Sequence, residues 1–161
     1  MKILKQRRLK FKTDYKARLA LLKSGKPRLV IRKTNKHIIV QILESNVAQD
    51  SVIFGDNSNI LLSYGWPKEL SGSLKSLSAA YLTGFAVGKK AQGKVKEAIL
   101  DLGMHRNIHK SRIYAALKGA IDSGLKVPHK ADSLPSMEQI KLNPKTSKVF
   151  DSVLNKINSG K

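Results

Sequence analysis

The 161-residue chain contains no cysteine, and aromatic residues make up only 6% of it. The absence of cysteine excludes disulfides, thiolate zinc sites, iron–sulfur clusters and cysteine nucleophiles, and it fits a reducing compartment. So few aromatic side chains argue against a single-strand binder that works mainly by stacking on bases. A hydrophobic content of 41% is nevertheless enough for a folded core, so a wholly disordered basic chain is also excluded.

Long apolar runs are missing as well. The longest, residues 79–88, spans ten residues and is interrupted by Thr83, whereas a helix that crosses a bilayer needs roughly 20. The first 12 residues carry six basic side chains and no apolar stretch beyond Ile3 and Leu4, so they do not resemble a secretion signal. We therefore expect a cytoplasmic protein with no membrane span.

Acidic residues are scarce: 11 Asp and Glu stand against 31 Lys and Arg, which gives a formal net charge of +20 and a pI near 10.3. Solubility alone would need a net charge of only about 2 to 8 in a small domain. The charge is also uneven, with +13 in residues 1–36, −2 in 37–88, +6 in 89–126 and +3 in 127–161. A near-neutral middle between basic blocks predicts a core flanked by surfaces that contact a polyanion.

Apolar spacing predicts an α/β fold with a mixed sheet. Thr13 is a candidate helix N-cap with Asp14 in the first turn, and Tyr15, Leu19 and Leu22 form the face of this helix that we expect to pack. Runs of β-branched residues then predict an antiparallel three-strand meander, and a later strand is expected to pair in parallel after a crossover helix. The predicted elements are a helix at 14–24, strands at 28–33, 37–43 and 51–54, a loop at 55–59, a helix from 73 to about 93, a strand at 98–100, a helix at 111–123, a polar linker and a C-terminal helix around 149–157.

One glycine-rich segment invites comparison with a phosphate-binding loop. GFAVGKK at 84–90 has three residues between its glycines where that motif requires four, and Lys90 stands where a magnesium-binding Ser or Thr is needed. The segment also lies inside a predicted helix and does not follow a strand. Close helix packing through Gly84 and Gly88 is therefore the better interpretation.

A metal-dependent nuclease is a second catalytic alternative, and it would need carboxylates that converge from several elements. The candidates are Asp101, Glu44, Asp56 and Asp122. A lone Asp after a strand more often accepts hydrogen bonds in a turn. His105 and His109 are spaced for metal ligation, but the neighbouring Arg106 and Lys110 would repel a cation, so we expect these histidines to contact phosphate or ribose. We expect no enzyme, no metal site and no cofactor.

Four blocks of sequence resemble the large-subunit ribosomal protein L-eighteen family, in its archaeal and eukaryotic branch. They are TDYKARLALLKSGKPRLVIRKTNKHIIVQI at 13–42, SAAYLTG at 78–84, ILDLG at 99–103 and GAIDSGLKVPH at 119–129. The resemblance covers about residues 13–130. It implies a domain of ribonuclease H-like topology without catalytic carboxylates, which binds 5S ribosomal RNA in the central protuberance of the large subunit.

This resemblance and the charge pattern divide the chain into a basic RNA-binding arm at 1–12, an α/β 5S RNA-binding domain at 13–130, and a linker with a C-terminal helix at 131–161. We expect a structural component of the large ribosomal subunit that binds 5S ribosomal RNA and helps attach it to the large ribosomal RNA. Neighbouring ribosomal proteins of the central protuberance are the other expected partners. The alternative is a general basic nucleic-acid-binding protein.

RNA contacts are expected from both basic blocks. The residues carried over from the family resemblance are Lys12, Tyr15, Arg18, Lys23, Lys26, Arg28, Arg32, Lys33, Asn35, Lys36 and His37. Charge alone adds Lys2, Lys5, Arg7, Arg8, Lys10, Lys16, Lys89, Lys90, Lys94, Arg106, His109, Lys110 and Arg112. We expect the arm to be disordered in the free protein, the hairpin to recognise structured RNA, and the block at 89–126 to meet a different RNA surface from the first block.

Overall fold

The computed structural model describes residues 5–47 and 49–160, with the backbone alone at Arg8. Its strands are β1 (Arg28–Lys33), β2 (Ile38–Asn46), β3 (Gln49–Asn57) and β4 (Ile99–Asp101). Its α-helices are α1 (Gln6–Leu9), α2 (Tyr15–Lys23), α3 (Ile60–Ser63), α4 (Leu77–Ala91), α5 (Arg112–Asp122), α6 (Met137–Lys141) and α7 (Pro144–Ser159), and short 3-10 helices cover Lys68–Ser73 and Ala131–Ser133. No helix in the described residues is long and apolar enough to span a bilayer.

The four strands form one mixed sheet in the order β3–β2–β1–β4. β1 pairs antiparallel with β2, β2 pairs antiparallel with β3, and β4 pairs in parallel with β1, placing Ile99 opposite Arg28. This confirms the predicted fold class, with its meander and its parallel strand after a crossover helix. The ribonuclease H-like topology that the resemblance implies stays a prediction.

β2 and β3 are longer than predicted. Their pairing continues past an irregularity between Ile42 and Leu43 to Asn46 opposite Gln49. At its other end β3 reaches Asn57, so it covers most of the predicted loop at 55–59. Most side chains in the extension are polar or exposed and show no apolar alternation. For that reason the hydrophobic pattern did not reveal these parts of the strands.

The core lies on the face of the sheet that α4 and α5 cover. Leu29, Ile31, Ile38, Val40 and Ile42 are each fully buried there, as the alternation along β1 and β2 predicts.

α4 and α5 approach each other closely through glycines. A Cβ atom at Gly84 would collide with the backbone carbonyl of Ala116, and one at Gly119 would collide with the carbonyl of Tyr81. Gly88 is similarly close to the hydroxyl of Ser123. The glycines of GFAVGKK therefore serve helix packing, as predicted.

α2 begins and packs differently from the prediction. Asp14 is the N-cap, because its carboxylate accepts hydrogen bonds from the amides of Lys16 and Ala17 at 3.0 and 3.1 Å, whereas the hydroxyl of Thr13 accepts one from Arg7 Nε. No residue of α2 is buried, and Leu19 is 54% exposed, so the expected apolar packing face is wrong. α2 is held instead by its polar contacts, described below.

The C-terminal region joins the main core. α6 falls within the predicted polar linker, where Ser136 and Gln139 form a capping box. Ile140 of α6 is buried, as are Phe150 and Val153 of α7, and the backbone carbonyl of Ile140 accepts a hydrogen bond from Ser78 of α4 at 2.6 Å. Residues 131–160 thus pack on the α/β core, which their sequence did not predict beyond the C-terminal helix.

Candidate nucleic-acid interface

The carboxyl ends of β1 and β4 lie side by side, because the two strands are parallel neighbours. β1 ends at Lys33 and leads into the hairpin turn at 34–37, and β4 leads into the loop at 102–111, which ends at α5. The basic or polar residues displayed here form what we name the carboxyl-end surface, which consists of Lys33, Asn35, Lys36, Arg106, Lys110 and Arg112. All six side chains are exposed.

A cavity of about 490 Å³ opens on this surface. Four of its lining residues are the cations Lys33, Arg106, Lys110 and Arg112, and none of them forms an ion pair within residues 5–47 and 49–160. Its other lining residues are Leu77, Met104, His105, Ile108, Ser111 and Ile113. We name this the cation-lined cavity. Its uncompensated positive charge suits an anionic ligand.

Backbone hydrogen bonds fix the loop beside β1. The amide of Lys33 donates to Nε2 of His105 at 3.1 Å, and the amide of Lys110, whose φ is +56°, donates to the carbonyl of Ser133 at 2.8 Å. Burial, together with the charges of Arg32 and Lys33, lowers the pKa of His105 below its usual value. The imidazole is therefore a neutral acceptor, and the loop is held in place at neutral pH.

Arg28, the first residue of β1, is buried and forms ion pairs with two acids. Its side chain is only 2% exposed, and its guanidinium donates to Asp101 at 2.8 Å, to Asp50 at 2.6 Å and to Ser45 at 2.9 Å. This guanidinium is turned into the protein, and its Nε has no hydrogen-bond partner among the described residues. Such burial does not fit the prediction that Arg28 contacts RNA, and the residue instead ties β1 to its neighbours.

Two further arginines complete the network. Arg32 donates to the carboxylate of Asp101 at 2.8 Å and to its backbone carbonyl at 2.6 Å, so it joins β1 to the end of β4. Arg18 of α2 pairs with Asp50 at 2.8 Å, which attaches α2 to the sheet. Both side chains are about one-third exposed, so they can still present part of their charge outward.

Both carboxylates of the network stay ionised because of their partners. Burial alone would raise the pKa of Asp50, but hydrogen bonds from Ser45, Arg18 and Arg28 outweigh it and lower the pKa to about 2. Burial likewise opposes ionisation of Asp101, yet the charge and hydrogen bonds of Arg32, an amide hydrogen bond from Gly103 and the charge of Arg28 lower its pKa. The network is therefore a set of permanent ion pairs at neutral pH.

Three of the four acids considered for a nuclease have other roles. Asp101 is bound by two arginines and also accepts from the Gly103 amide at 2.8 Å, which is the predicted turn role. Asp56 pairs with Lys90 at 2.7 Å, and Asp122 accepts from the Tyr81 hydroxyl at 2.8 Å. Within the described ranges, no three His, Asp or Glu side chains come close enough to hold a metal ion.

The basic arm and α2 lie next to the same loop. A second cavity, of about 790 Å³, is lined by Arg7 and Lys12 of the arm, by α2, and by residues 99–105. Lys5 lies over the ring of Tyr15, with Nζ 4.5 Å from its centroid. Lys10, Lys16 and Lys23 are exposed, and His37 is half-buried. Lys2 lies outside the described residues, as does the side chain of Arg8.

A second group of cations lies on the segments that precede β1 and β4 and at the end of α4. We name Lys26, Lys89, Lys90, Lys94 and Lys96 the amino-end cluster. Lys26 pairs with Glu97 at 2.9 Å and Lys90 with Asp56, while Lys94 lies over the Phe54 ring at 5.4 Å. Two of these five lysines are therefore paired with acids, whereas the four cations of the cation-lined cavity are paired with none in the described residues.

This arrangement corrects the predicted grouping of the basic residues. Arg106, Lys110 and Arg112 belong to the sequence block 89–126, which was expected to meet a different RNA surface from the hairpin. They line one cavity with Lys33 of the hairpin instead. The reason is the parallel pairing of β1 with β4, which brings the segments after both strands together. His109, expected in the same block, is exposed and packs edge-on against Tyr114, with 6.1 Å between ring centroids.

Sequence reasoning missed Met104, Ile108 and Ser111 of the cation-lined cavity. Met104 and Ile108 are 54% and 59% exposed, and the hydroxyl oxygen of Ser111 is buried without a hydrogen-bond partner among the described residues. They lie in a loop with no periodic pattern. The only feature of the sequence that indicated an apolar lining was the position of Ile108 between the cations Arg106 and Lys110.

The protein is thus an α/β domain of the basic class, in which cations that form no ion pair with any described residue converge at one end of the sheet and suit a polyanion. The family model described as ribosomal large subunit proteins 60S L5, and 50S L18, matches residues 1–98 and 89–130. The chain belongs to this family of ribosomal proteins of the large subunit, which confirms the resemblance seen in the sequence. It is a family of structural proteins rather than enzymes.

Individual archaeal relatives agree with the family assignment. Proteins named large ribosomal subunit protein uL18 are 48% identical in Korarchaeum cryptofilum, 42% in Aeropyrum pernix and 46% in Methanoculleus marisnigri, each over 84% of this chain. The matched segments cover 68%, 63% and 76% of those relatives. The chain thus spans about two thirds to three quarters of their length.

Proposed function

We propose that the chain binds 5S ribosomal RNA through the carboxyl-end surface and helps attach it to the large ribosomal RNA in the central protuberance. The observation that carries this proposal is the cation-lined cavity, where four cations that have no acidic partner within residues 5–47 and 49–160 converge from β1, the 102–111 loop and α5. Membership in a family of large-subunit ribosomal proteins makes ribosomal RNA the relevant polyanion.

The geometry favours structured RNA over a featureless polyanion. Guanidinium forks and loop residues held by backbone hydrogen bonds present donors at fixed positions, and such donors can match one backbone geometry. The arginine network keeps β1 and β4 in register, so it positions Lys33 relative to Arg106 without contacting RNA through Arg28. Lysines of the arm add attraction that depends on charge alone.

The amino-end cluster supplies a second surface, which we assign to the large ribosomal RNA. β1 has six residues, so its two ends are about 20 Å apart. Lys94 and Lys96 are exposed at one end, and the carboxyl-end surface lies at the other. Two separated basic surfaces suit a protein that joins two RNA molecules.

The test compares two matched double variants for binding to isolated 5S ribosomal RNA over a range of salt concentrations. Arg106→Gln with Lys110→Gln removes two charges from the cavity, and Lys145→Gln with Lys148→Gln removes two exposed charges near the start of α7. Each lost phosphate contact lowers the log-log salt slope by about 0.7 to 0.9, so the cavity variant should lose about 1.4 to 1.8 and the control almost nothing.

Two results would contradict the proposal. Equal changes of slope in the two variants would show that binding follows net charge and not the carboxyl-end surface. Equal affinity of the wild-type protein for 5S RNA and for an unrelated folded RNA would favour a general basic nucleic-acid-binding protein.

A further inference from the structure

We propose that the cation-lined cavity receives one unstacked nucleotide of the bound RNA, with its base against the apolar lining and its phosphate among the cations. This inference rests on the proposed RNA-binding function and specifies what the surface recognises. It predicts a preference for an unpaired nucleotide that phosphate contacts alone would not give.

The cavity has an apolar part and a charged part, and a nucleotide likewise has a base with apolar faces and a charged phosphate. Leu77, Met104, Ile108 and Ile113 supply apolar surface, and the four cations supply the charge. Met104 and Ile108 are both more than half exposed and lie outside the main core cluster. Covering them with a base would remove apolar surface from water, which is favourable.

The polar side of the cavity also has an unused hydrogen-bonding group. The hydroxyl of Ser111 is buried and has no partner in the described structure, and it does not cap α5. A buried hydroxyl without a partner is costly, and a ribose hydroxyl or a phosphate oxygen would satisfy it. The imidazole of His105 lines the same space.

The size of the cavity limits the occupant. Its volume of about 490 Å³ lies within the range of roughly 300 to 1,000 Å³ that is usual for small-ligand sites, so one nucleotide is a suitable occupant and a duplex is not. Extracting a paired base costs a few kcal/mol, and the cost is smallest for a base that is already unpaired. The occupant is therefore expected to come from a loop or a bulge.

The experiment uses five fluorescein-labelled RNA hairpins with the same stem, each closed by a non-nucleotide linker so that no loop nucleotide is unpaired. One is fully paired, and the other four carry a single bulged nucleotide, one for each base. The full-length protein should bind at least one bulged hairpin about tenfold more tightly than the paired one, which corresponds to the burial of one base. Fluorescence anisotropy gives the dissociation constant for each hairpin.

Variants separate the two halves of the cavity. Met104→Ala with Ile108→Ala should bring the bulged-to-paired ratio to within about twofold while leaving affinity for the paired hairpin unchanged. Leu142→Ala, which removes an apolar side chain that is 80% exposed elsewhere, is the matched control and should preserve the ratio. Ser111→Ala should lower the ratio without lowering the melting temperature, because its hydroxyl makes no cap hydrogen bond.

Equal affinity of the wild-type protein for paired hairpins and for all four bulged hairpins would overturn this inference and leave 5S RNA binding intact. An equal loss for paired and bulged hairpins in the Met104 and Ile108 variant would also overturn it, since these residues would then only shape the loop. If the wild-type protein preferred a bulged hairpin but did not select 5S RNA over unrelated RNA, the proposed function would be contradicted and the nucleotide site would be supported.

Discussion

Replacing Asp101 with Asn should strongly destabilise the fold, because the carboxylate is only 8% exposed and binds two guanidiniums. The substitution preserves the volume of the side chain but removes its charge. Arg28, itself 2% exposed, then keeps only Asp50 as an acidic partner among the described residues. Breaking a buried ion pair from one side costs about 3 to 5 kcal/mol. For a chain of this length, that loss corresponds to a decrease of about 6 to 20 °C in melting temperature.

Urea denaturation monitored by circular dichroism measures this loss directly. The control is Asp151→Asn, which removes the partner of Lys141 in a pair whose carboxylate is 64% exposed and should cost at most about 1 kcal/mol. If Asp101→Asn lost no more stability than the control, with the same denaturant slope, the network would not hold β1 to β4. The assignment of Arg28 to a structural role would then be refuted.

Three other predictions concern packing, pH and recognition. Gly84→Ala should destabilise the protein by about 1 to 3 kcal/mol in thermal unfolding because its Cβ would meet the Ala116 carbonyl, while Gly72→Ala, with open space around it, should be nearly neutral. Because the folded pKa of Asp50 is lowered to about 2, its stabilising contribution should be present above about pH 4 and disappear as the pH falls toward 2, and Asp50→Asn should flatten this part of the stability–pH curve. Asn35→Ala in the exposed hairpin turn should lower the preference for 5S RNA over unrelated RNA in competition binding, whereas deleting residues 1–10 should weaken binding to both RNAs alike. If Asn35→Ala left this preference unchanged, the turn would have no part in recognition.

The sequence predicted the elements that carry a strong apolar pattern. β1, the start of β2, α4, α5 and α7 all place their apolar residues on a face that is buried. The end of β2 and most of β3 lie exposed at one edge of the sheet, and α6 is a single capped turn, so neither leaves a clear periodic signal. The N-cap was misplaced by one residue because Thr13 and Asp14 are both good caps and only the backbone conformation decides between them.

The site was predicted in composition but not in arrangement. The sequence identified Lys33, Arg106, Lys110 and Arg112 as basic candidates, but their convergence depends on which strands are neighbours and in which direction they run. Arg28 could not be separated from the exposed arginines, since its partners Asp50 and Asp101 are 22 and 73 positions away in the chain. Charge counts reveal that a polyanion surface exists, and only the register of the sheet shows which cations it contains.

Amide hydrogen exchange of the full-length protein, free and bound to 5S ribosomal RNA, tests the central claim most directly. We expect RNA-dependent protection in the hairpin turn at 34–37 and in the loop at 102–111, with no change along α7. Protection confined to the amino-end cluster or to α7, with an unchanged carboxyl-end surface, would contradict the account.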